Sequence, residues 1–468
     1  MSPREQILIP ALMASALFMQ EIDLALLNSA IPTMSRSLQV APILLNFSVT
    51  AYMVCSTMLM PASGWIADRF GARATFQVSV GLFIAGSICC AFSTDLASLI
   101  VSRVVQGVGG AFMVPVARLI VVKGATSNSI VRSMIWFTTP SVVGAIVGAP
   151  LSGYLVTYWS WSSIFWVNAP IGMVAVVLAG LFVPDYKDGS AKAFDLRGFV
   201  QVGLALGALM LGLQTIGRNV MPLPASLALA AGGVLVMTHY VGMSGSRSDE
   251  AILDFATLKA RTFRIATVGG GVFVAGVGAT LFMLPILLQM GLGFSALESG
   301  ILLMFGTLGA LGARVGARQA IAYFGFSNLM VFNSVATCAV LAVLSLFPHA
   351  SAIVLAILFV LAGAVRSIQY TCLNSVAYIG LAPDVITRSA TLASVAQQVS
   401  FTVGVGLGAT LLDLSSRVPA HAVESWGGPL TFPMMAVAAM SLLTAISFAR
   451  LDVARPAFTS ALRKDRPE

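Results

Sequence analysis

Four charged side chains stand where a membrane-length helix would bury them. Glu21 and Asp23 interrupt an apolar run at 7 to 31, Arg103 one at 97 to 121, and Arg366 one at 351 to 379. A carboxylate or guanidinium at the centre of such a helix costs about 2.5–3.5 kcal/mol, so each needs a partner or a task. Counted at about 1.5 Å per residue from the ends expected to face the cytoplasm, Asp23 lies about 24 Å along its helix and Arg103 about 27 Å along its own. The depths agree, which predicts a shared polar site for Asp23 and Arg103 with proton coupling as its chemistry; a purely structural ion pair is the alternative. Glu21 is about 200° around the same helix from Asp23, so only one acid can face that site. It is a second candidate for a proton or a cation, or else a neutral group at a helix interface. Gln369, Tyr370 and Asn374 follow Arg366 on one helical face. That face could hold an anionic substrate through charge-assisted hydrogen bonds, or Arg366 could neutralise Glu21.

The elements that must position these groups are membrane helices. Of 468 residues 58% are hydrophobic and 9% charged, with a mean hydropathy of +0.93, whereas soluble domains carry about 25% charged residues. About fourteen stretches can cross roughly 30 Å of hydrocarbon as helix. Their cores fall at 7–31, 44–66, 74–93, 97–121, 132–156, 163–183, 198–217, 222–242, 264–290, 296–317, 327–347, 351–379, 389–412 and 430–449. The formal charge of +8 does not call for nucleic acid, because about 20 of the 26 Lys and Arg, among them Arg4, Lys192, Arg247, Arg455, Arg463, Lys464 and Arg466, fall in the turns and tails of one side. Only Arg36, Arg218 and Arg417 fall in turns of the other. This bias predicts both termini inside, with anionic lipid as the partner of the basic side. The first span is expected to stay uncleaved, since it is too long for a signal peptide and carries two acids.

Enzymatic chemistry and resident cofactors are not expected. His239, His349 and His421 lie at or near span ends without metal-ligand spacing, and no phosphate-binding G-x-x-x-x-G-K-[ST] loop occurs. Gly404, Gly406 and Gly408 lie inside an apolar span and read as close helix packing. All five cysteines, Cys55, Cys89, Cys90, Cys338 and Cys372, fall within spans, which argues against a disulfide framework.

Between the second and third runs lies GWIADRFGAR, with Gly64, Asp68, Arg69, Gly71 and Arg73 in a glycine-bracketed turn at the water boundary. It resembles the G-x-L-A-D-R-x-G-R-K signature loop of the major facilitator superfamily, with Ile66 and Ala72 as departures. Further residues resemble the fourteen-span drug:proton antiporter branch. Asp23, Asn28, Ala30, Ile31 and Pro32 fit its first-helix pattern, and Arg103, Gln106, Gly107, Gly109 and Ala111 fit R-x-x-Q-G-x-G-x-A. WSWSSIFWVNAPIG at 159–172 is similar to the stretch after its fifth span. In the fifth span Gly144, Gly148, Pro150 and Gly153 resemble the packing motif G-x-x-x-G-P-x-x-G-G, with Ala149 in the expected Pro position and Ser152 replacing a Gly. PVARL and QQVSFTVGV look closest to the MdtD and HsrA subgroup of enterobacterial efflux proteins.

The resemblance implies an all-α membrane protein with the major facilitator fold, two six-helix bundles plus two extra central helices. The expected boundaries are 1–183 for the first bundle, 184–263 for cytoplasmic linkers with the extra pair, 264–450 for the second bundle and 451–468 for a cytoplasmic tail. It also implies a multi-pass protein of the bacterial inner membrane that exports small molecules, drugs among them, in exchange for protons by alternating access. A narrow exporter of an organic anion or metabolite is the alternative, and a non-transporting sensor or scaffold a distant one. Asn28, Gln106, Arg366, Gln369, Tyr370 and Asn374 are then the expected substrate-cavity residues, the loop from Gly64 to Arg73 a cytoplasmic gate, and the proton gradient the energy source. A periplasmic adaptor protein stays open as a further partner.

Overall fold

The computed structural model describes residues 5–40, 42–125, 129–187, 193–216, 221–244, 252–294, 296–346, 351–382, 385–416 and 431–451. Among the described residues the ordered elements are all helical. In hydrocarbon every backbone N–H and C=O must be satisfied within the protein, and a helix does this inside a single segment. In chain order the helices are α1 (Glu5–Leu38), α2 (Pro42–Leu59), α3 (Ser63–Phe70), α4 (Ala72–Ala91), α5 (Leu96–Gly124), α6 (Ile130–Tyr158), α7 (Ser163–Trp166), α8 (Asn168–Phe182) and α9 (Leu196–Thr215). They continue as α10 (Leu223–Ser244), α11 (Arg261–Arg264), α12 (Gly270–Ile286), α13 (Ala296–Phe324), α14 (Phe326–Leu346), α15 (Ala352–Val376), α16 (Ile386–Ser416) and α17 (Thr431–Ala449).

Among the described residues thirteen helices are long and apolar enough to cross a membrane. The segment expected as a span at 44–66 is divided by a one-turn 3-10 segment, Met60–Ala62, with Pro61 near its start, into α2 and α3. Proline explains the break, because it removes an N–H from the ladder and crowds the preceding turn. Pro285 has a related effect near the end of α12, which passes into a π-helical turn, Leu287–Gly291. Large apolar side chains such as Val177, Leu181, Ile353 and Ile446 remain exposed, as a lipid-facing surface requires. Arg4, Lys192, Arg218, Arg247, Arg417, Arg455, Arg463, Lys464, Arg466, His349, His421 and the tail from 452 lie outside the described residues.

Contacts group the chain into two compact units. One comprises Met1–Leu211, Ala231–Thr257 and Leu381–Val395; the other comprises Gly212–Ala230, Leu258–Gly380 and Ala396–Glu468. In the first, α1 lies along α6, α5 packs on α4 and α2, and α8 packs on α1 and α4. In the second, α13 lies along α15, α14 packs on α17 and α15, and α12 packs on α17.

Small residues set how closely these helices approach. On α6 a Cβ at Gly144 would lie 3.0 Å from the Phe18 carbonyl oxygen of α1, and one at Gly148 would lie 2.5 Å from Ala25 Cβ. Ser152, one turn further, donates to the Leu26 carbonyl at 2.8 Å. The packing stripe is therefore Gly144, Gly148 and Ser152, at every fourth residue of one face. Gly153 and Pro150, expected in that stripe, are exposed, and a Cβ at Gly153 would meet nothing within 4 Å. They lie one residue and two residues off the i, i+4, i+8 face, which turns them away from α1. In the second unit Gly363 of α15 sits on the Gly306 carbonyl of α13, and Gly404 of α16 on the Ala275 carbonyl of α12.

Gly363→Leu is expected to cost about 1–3 kcal/mol or more through overpacking, while Gly153→Leu should stay within about 0.5 kcal/mol of the parent. Thermal unfolding of the detergent-purified protein separates the two; equal midpoints would contradict the crossing described.

Candidate functional site

The site begins with the way α5 starts. Asp95 caps it, its carboxylate accepting the Ser98 N–H at 2.8 Å while Ser98 Oγ receives the Asp95 N–H at 3.3 Å. Hydrogen bonding from the Ser98 backbone holds the exposed Asp95 carboxyl below its ordinary range. Two turns on, Arg103 and Gln106 share a face. The glycines that follow let neighbouring helices close over them. A Cβ at Gly107 would lie 2.9 Å from the Tyr52 carbonyl of α2, and one at Gly109 would run into the Phe83 backbone nitrogen of α4.

Asp23 of α1 meets that face. Its Oδ2 accepts from Arg103 Nη1 at 2.7 Å, and its Oδ1 accepts from Gln106 Nε2 and Asn168 Nδ2, each at 2.9 Å. Arg103 Nη1 also donates to Gln106 Oε1 at 2.6 Å, and Asn168 Nδ2 to Ser87 Oγ at 3.0 Å. The guanidinium carbon lies 4.7 Å from the Tyr52 ring centroid, a cation–π contact. Five helices, α1, α2, α4, α5 and α8, thus converge on one charge pair. Arg103, Gln106 and Asn168 are fully buried and Asp23 is 3% exposed. Removing one member of such a pair strands the other charge, at a cost of about 3–5 kcal/mol.

The meeting of Asp23 and Arg103 is the predicted one, but its surroundings differ. Gln106, expected on a substrate cavity, is sealed in the helix core because both ends of its amide are taken up by Asp23 and Arg103. Asn28 is exposed and Glu21 half-buried; neither bonds Asp23. Asn168, Ser87 and Tyr52 were not anticipated as parts of the site. Asn168 stands within the resemblance pattern at 159–172, and its lone amide in an apolar run was the available signal. Nothing marks Ser87 or Tyr52 in advance.

At the far end of α5 the signature segment forms a second cluster. It is helical through Phe70, so Gly64 is not a turn glycine: it gives close approach to α16, where a Cβ would lie 2.6 Å from Thr391 Oγ1. Gly71 does turn the chain, at φ +95°, a conformation that favours glycine. Asp68 Oδ1 accepts from Lys123 Nζ at 3.1 Å and from Thr387 Oγ1 at 3.2 Å. Beside it Arg388 donates to Asp254 at 3.2 Å, joining α16 to the segment after α10. Arg73 donates through its N–H to Asp185 at 3.3 Å and through Nη1 to the Val183 carbonyl at 3.4 Å, whereas Arg69 is exposed.

Arg366 lies apart, in the second unit, on the wall of a cavity of about 160 Å³ between α12, α13, α14, α15 and α17. Its expected companions are not on that wall. Gln369 is buried and accepts from Asn333 Nδ2 at 3.2 Å, and Asn374 accepts from Gln397 Nε2 at 2.9 Å. Both amide oxygens are drawn into helix contacts, while Gln369 Nε2 stays buried without a hydrogen-bond partner among the described residues. Tyr370 stacks edge-on against Phe273, which does line the cavity. Among the described residues no group of three or more His, Cys, Asp or Glu is placed to hold a metal ion.

Residues 13–409 match the family model of the Major Facilitator Superfamily. The chain belongs to the major facilitator superfamily. It is a multi-pass membrane protein of a transporter family. Similar proteins include the "Putative multidrug resistance protein MdtD" of Pectobacterium atrosepticum, 32% identical over 416 residues, which are 88% of this chain and 88% of that protein. The protein of the same name from Enterobacter sp. strain 638 is 31% identical over 94% of this chain and 93% of its own. These relatives agree with the drug:proton antiporter branch and its MdtD subgroup. Among solved structures, the human organic anion transporter MFSD10 (TETRAN) aligns with a TM-score of 0.69 at 12% identity, covering 96% of this chain and 100% of that one. The proton:xylose symporter XylE aligns at 0.62 and 14% identity, over 94% of each chain. At these identities the two structures establish the superfamily fold.

Asp23→Ala should cost about 3–5 kcal/mol by leaving Arg103 buried without its counter-charge, and the double replacement Asp23→Leu with Arg103→Met should recover most of that loss. Thermal unfolding of the purified variants measures both; a single variant as stable as the parent would show that the pair bears no load.

Proposed function

We propose that the protein is a proton-driven exporter of small molecules, drugs among them, in the bacterial inner membrane. The observation that carries this reading is the Asp23–Arg103 pair, an ionisable couple fully enclosed by helices of a transporter fold. A carboxylate beside a guanidinium gives up its proton, and one parted from it at that depth takes a proton back. Movement of α1 against α5 that lengthens the 2.7 Å contact would therefore load a proton, and its return would release it. Alternating access exposes the couple to one side of the membrane at a time, so that inward protons drive outward substrate. The gradient is the energy source, and the reading needs no resident cofactor, metal or enzymatic step. The MdtD relatives are named for multidrug resistance, which supports a range of substrates.

The cytoplasmic cluster supplies the gate. Asp68 reaches Lys123 and Thr387 from a partly exposed position, so the contact can break and reform during each cycle. The exposed basic residues of the same side sit against anionic lipid. Arg366 on the cavity wall favours a second reading, narrow export of an organic anion or metabolite.

The test is proton flux in proteoliposomes that carry an internal pH dye and an imposed pH gradient, screened with lipophilic cations and small organic anions. Substrate-triggered flux is expected in the parent, with a loss of tenfold or more in Asp23→Asn and in Asp68→Asn at equal membrane insertion. Undiminished flux in Asp23→Asn would overturn the coupling role, and in Asp68→Asn the gate.

A further inference from the structure

The cavity of the second unit is a built pocket of one chemical character. Its walls include Phe273, Leu284, Leu341 and Phe359, with the hydroxyls of Thr280, Thr307, Thr337 and Ser441 and the single charged side chain Arg366. No acidic residue is on the lining. Three of its wall residues, Gly276, Gly306 and Gly363, have no side chain to fill the space. The crossing of α13 and α15 requires Gly363, which sits on the Gly306 carbonyl, whereas a Cβ at Gly306 or Gly276 would make only ordinary contacts. At Gly363 the packing itself therefore admits no methyl group.

Size and charge together define an occupant. A cavity of about 150 Å³ lined by Leu, Ile and Phe accepts benzene. The cavity here is about 160 Å³, with the same kind of wall and a guanidinium in place of a fully apolar one. We infer that it binds a small aromatic monocarboxylate, with the ring against Phe273, Leu341 and Phe359 and the carboxylate on Arg366. A guanidinium has five N–H donors, so it can hold a ligand carboxylate together with protein groups. A cation of the same size would meet like charge in a low-dielectric pocket. A carboxylate could arrive from water as an aromatic acid or from the bilayer as a fatty acid, and the volume selects the former. The inference deepens the transport reading and rests on it for the fate of the ligand, but not for its binding.

Equilibrium dialysis of radiolabelled benzoate against the full-length protein in detergent tests it, without a proton gradient. Saturable binding is expected, weakened tenfold or more in Arg366→Gln and likewise in Leu341→Trp, which fills the apolar end and leaves Arg366 in place. Benzyl alcohol should compete at least tenfold more weakly than benzoate, and benzylamine should not compete. Those competitor results come from the parent protein, so they stand even where a variant fails to fold. Absence of saturable binding, equal competition by benzylamine or benzyl alcohol, tighter competition by dodecanoate, or full binding in a well-folded Leu341→Trp would each overturn the assignment. Lost benzoate binding with intact proton flux would remove this site alone, whereas lost flux with intact binding would remove the transport reading alone.

Discussion

The first unit depends on one constraint: Asp23 and Arg103 have left water together. At 2.7 Å and almost no exposure their attraction is strong, but it offsets two large desolvation costs only if the remaining polar atoms also find partners. Gln106 and Asn168 supply partners for the carboxylate and for Arg103 Nη1, while the guanidinium Nε and Nη2 make no hydrogen bond among the described residues and lie instead under the ring face of Tyr52. This arrangement needs five helices within side-chain reach of one point. Glycines make it sterically possible, with Gly86 and Gly109 letting α4 and α5 touch backbone to backbone and Gly107 admitting α2. The R-x-x-Q-G-x-G pattern is therefore a single device in which the charged and amide groups make the contacts and the glycines clear the space for them.

Burial ranks the ion pairs of this unit. The Asp23 pair is enclosed and worth several kcal/mol to break from one side. Asp68 and Lys123 are each about one-fifth exposed, where ion pairs contribute roughly 0–1 kcal/mol. The gate and coupling roles proposed for the two pairs match this difference, since the weaker contact opens at little cost and the stronger one only when the helices around it move. Arg388 and Asp254 add an intermediate case, with the acid buried and the base partly exposed.

The second unit uses small residues with the opposite result. Where Gly306 and Gly363 bring α13 and α15 together, the neighbouring helices are left without side chains long enough to fill the space beside the crossing. Close packing at the crossing and a void next to it share one cause. Arg366 gives that void its only charge among the lining residues.

Most of the architecture was legible in the chain itself, because hydrocarbon length and the need to satisfy every backbone group leave few options for a chain this apolar. The helical spans, the Asp23–Arg103 encounter and the glycine at the φ-positive turn after Phe70 follow from residue type, spacing and depth. Spacing along one helix could not reveal which neighbour occupies each face. Gln106, Gln369 and Asn374 look alike in sequence, as amides at membrane depth, yet each is absorbed by a partner from elsewhere in the chain. Pro150 and Gly153 fit a packing motif but turn away from α1, while Ser152 takes the contact. Sequence determined that charge would be buried and at what depth, since that depends on local composition and helix rise. Tertiary structure alone decided which polar groups enclose that charge and which open onto a cavity, because hydrogen bonds and voids are set by distances between residues far apart in the chain.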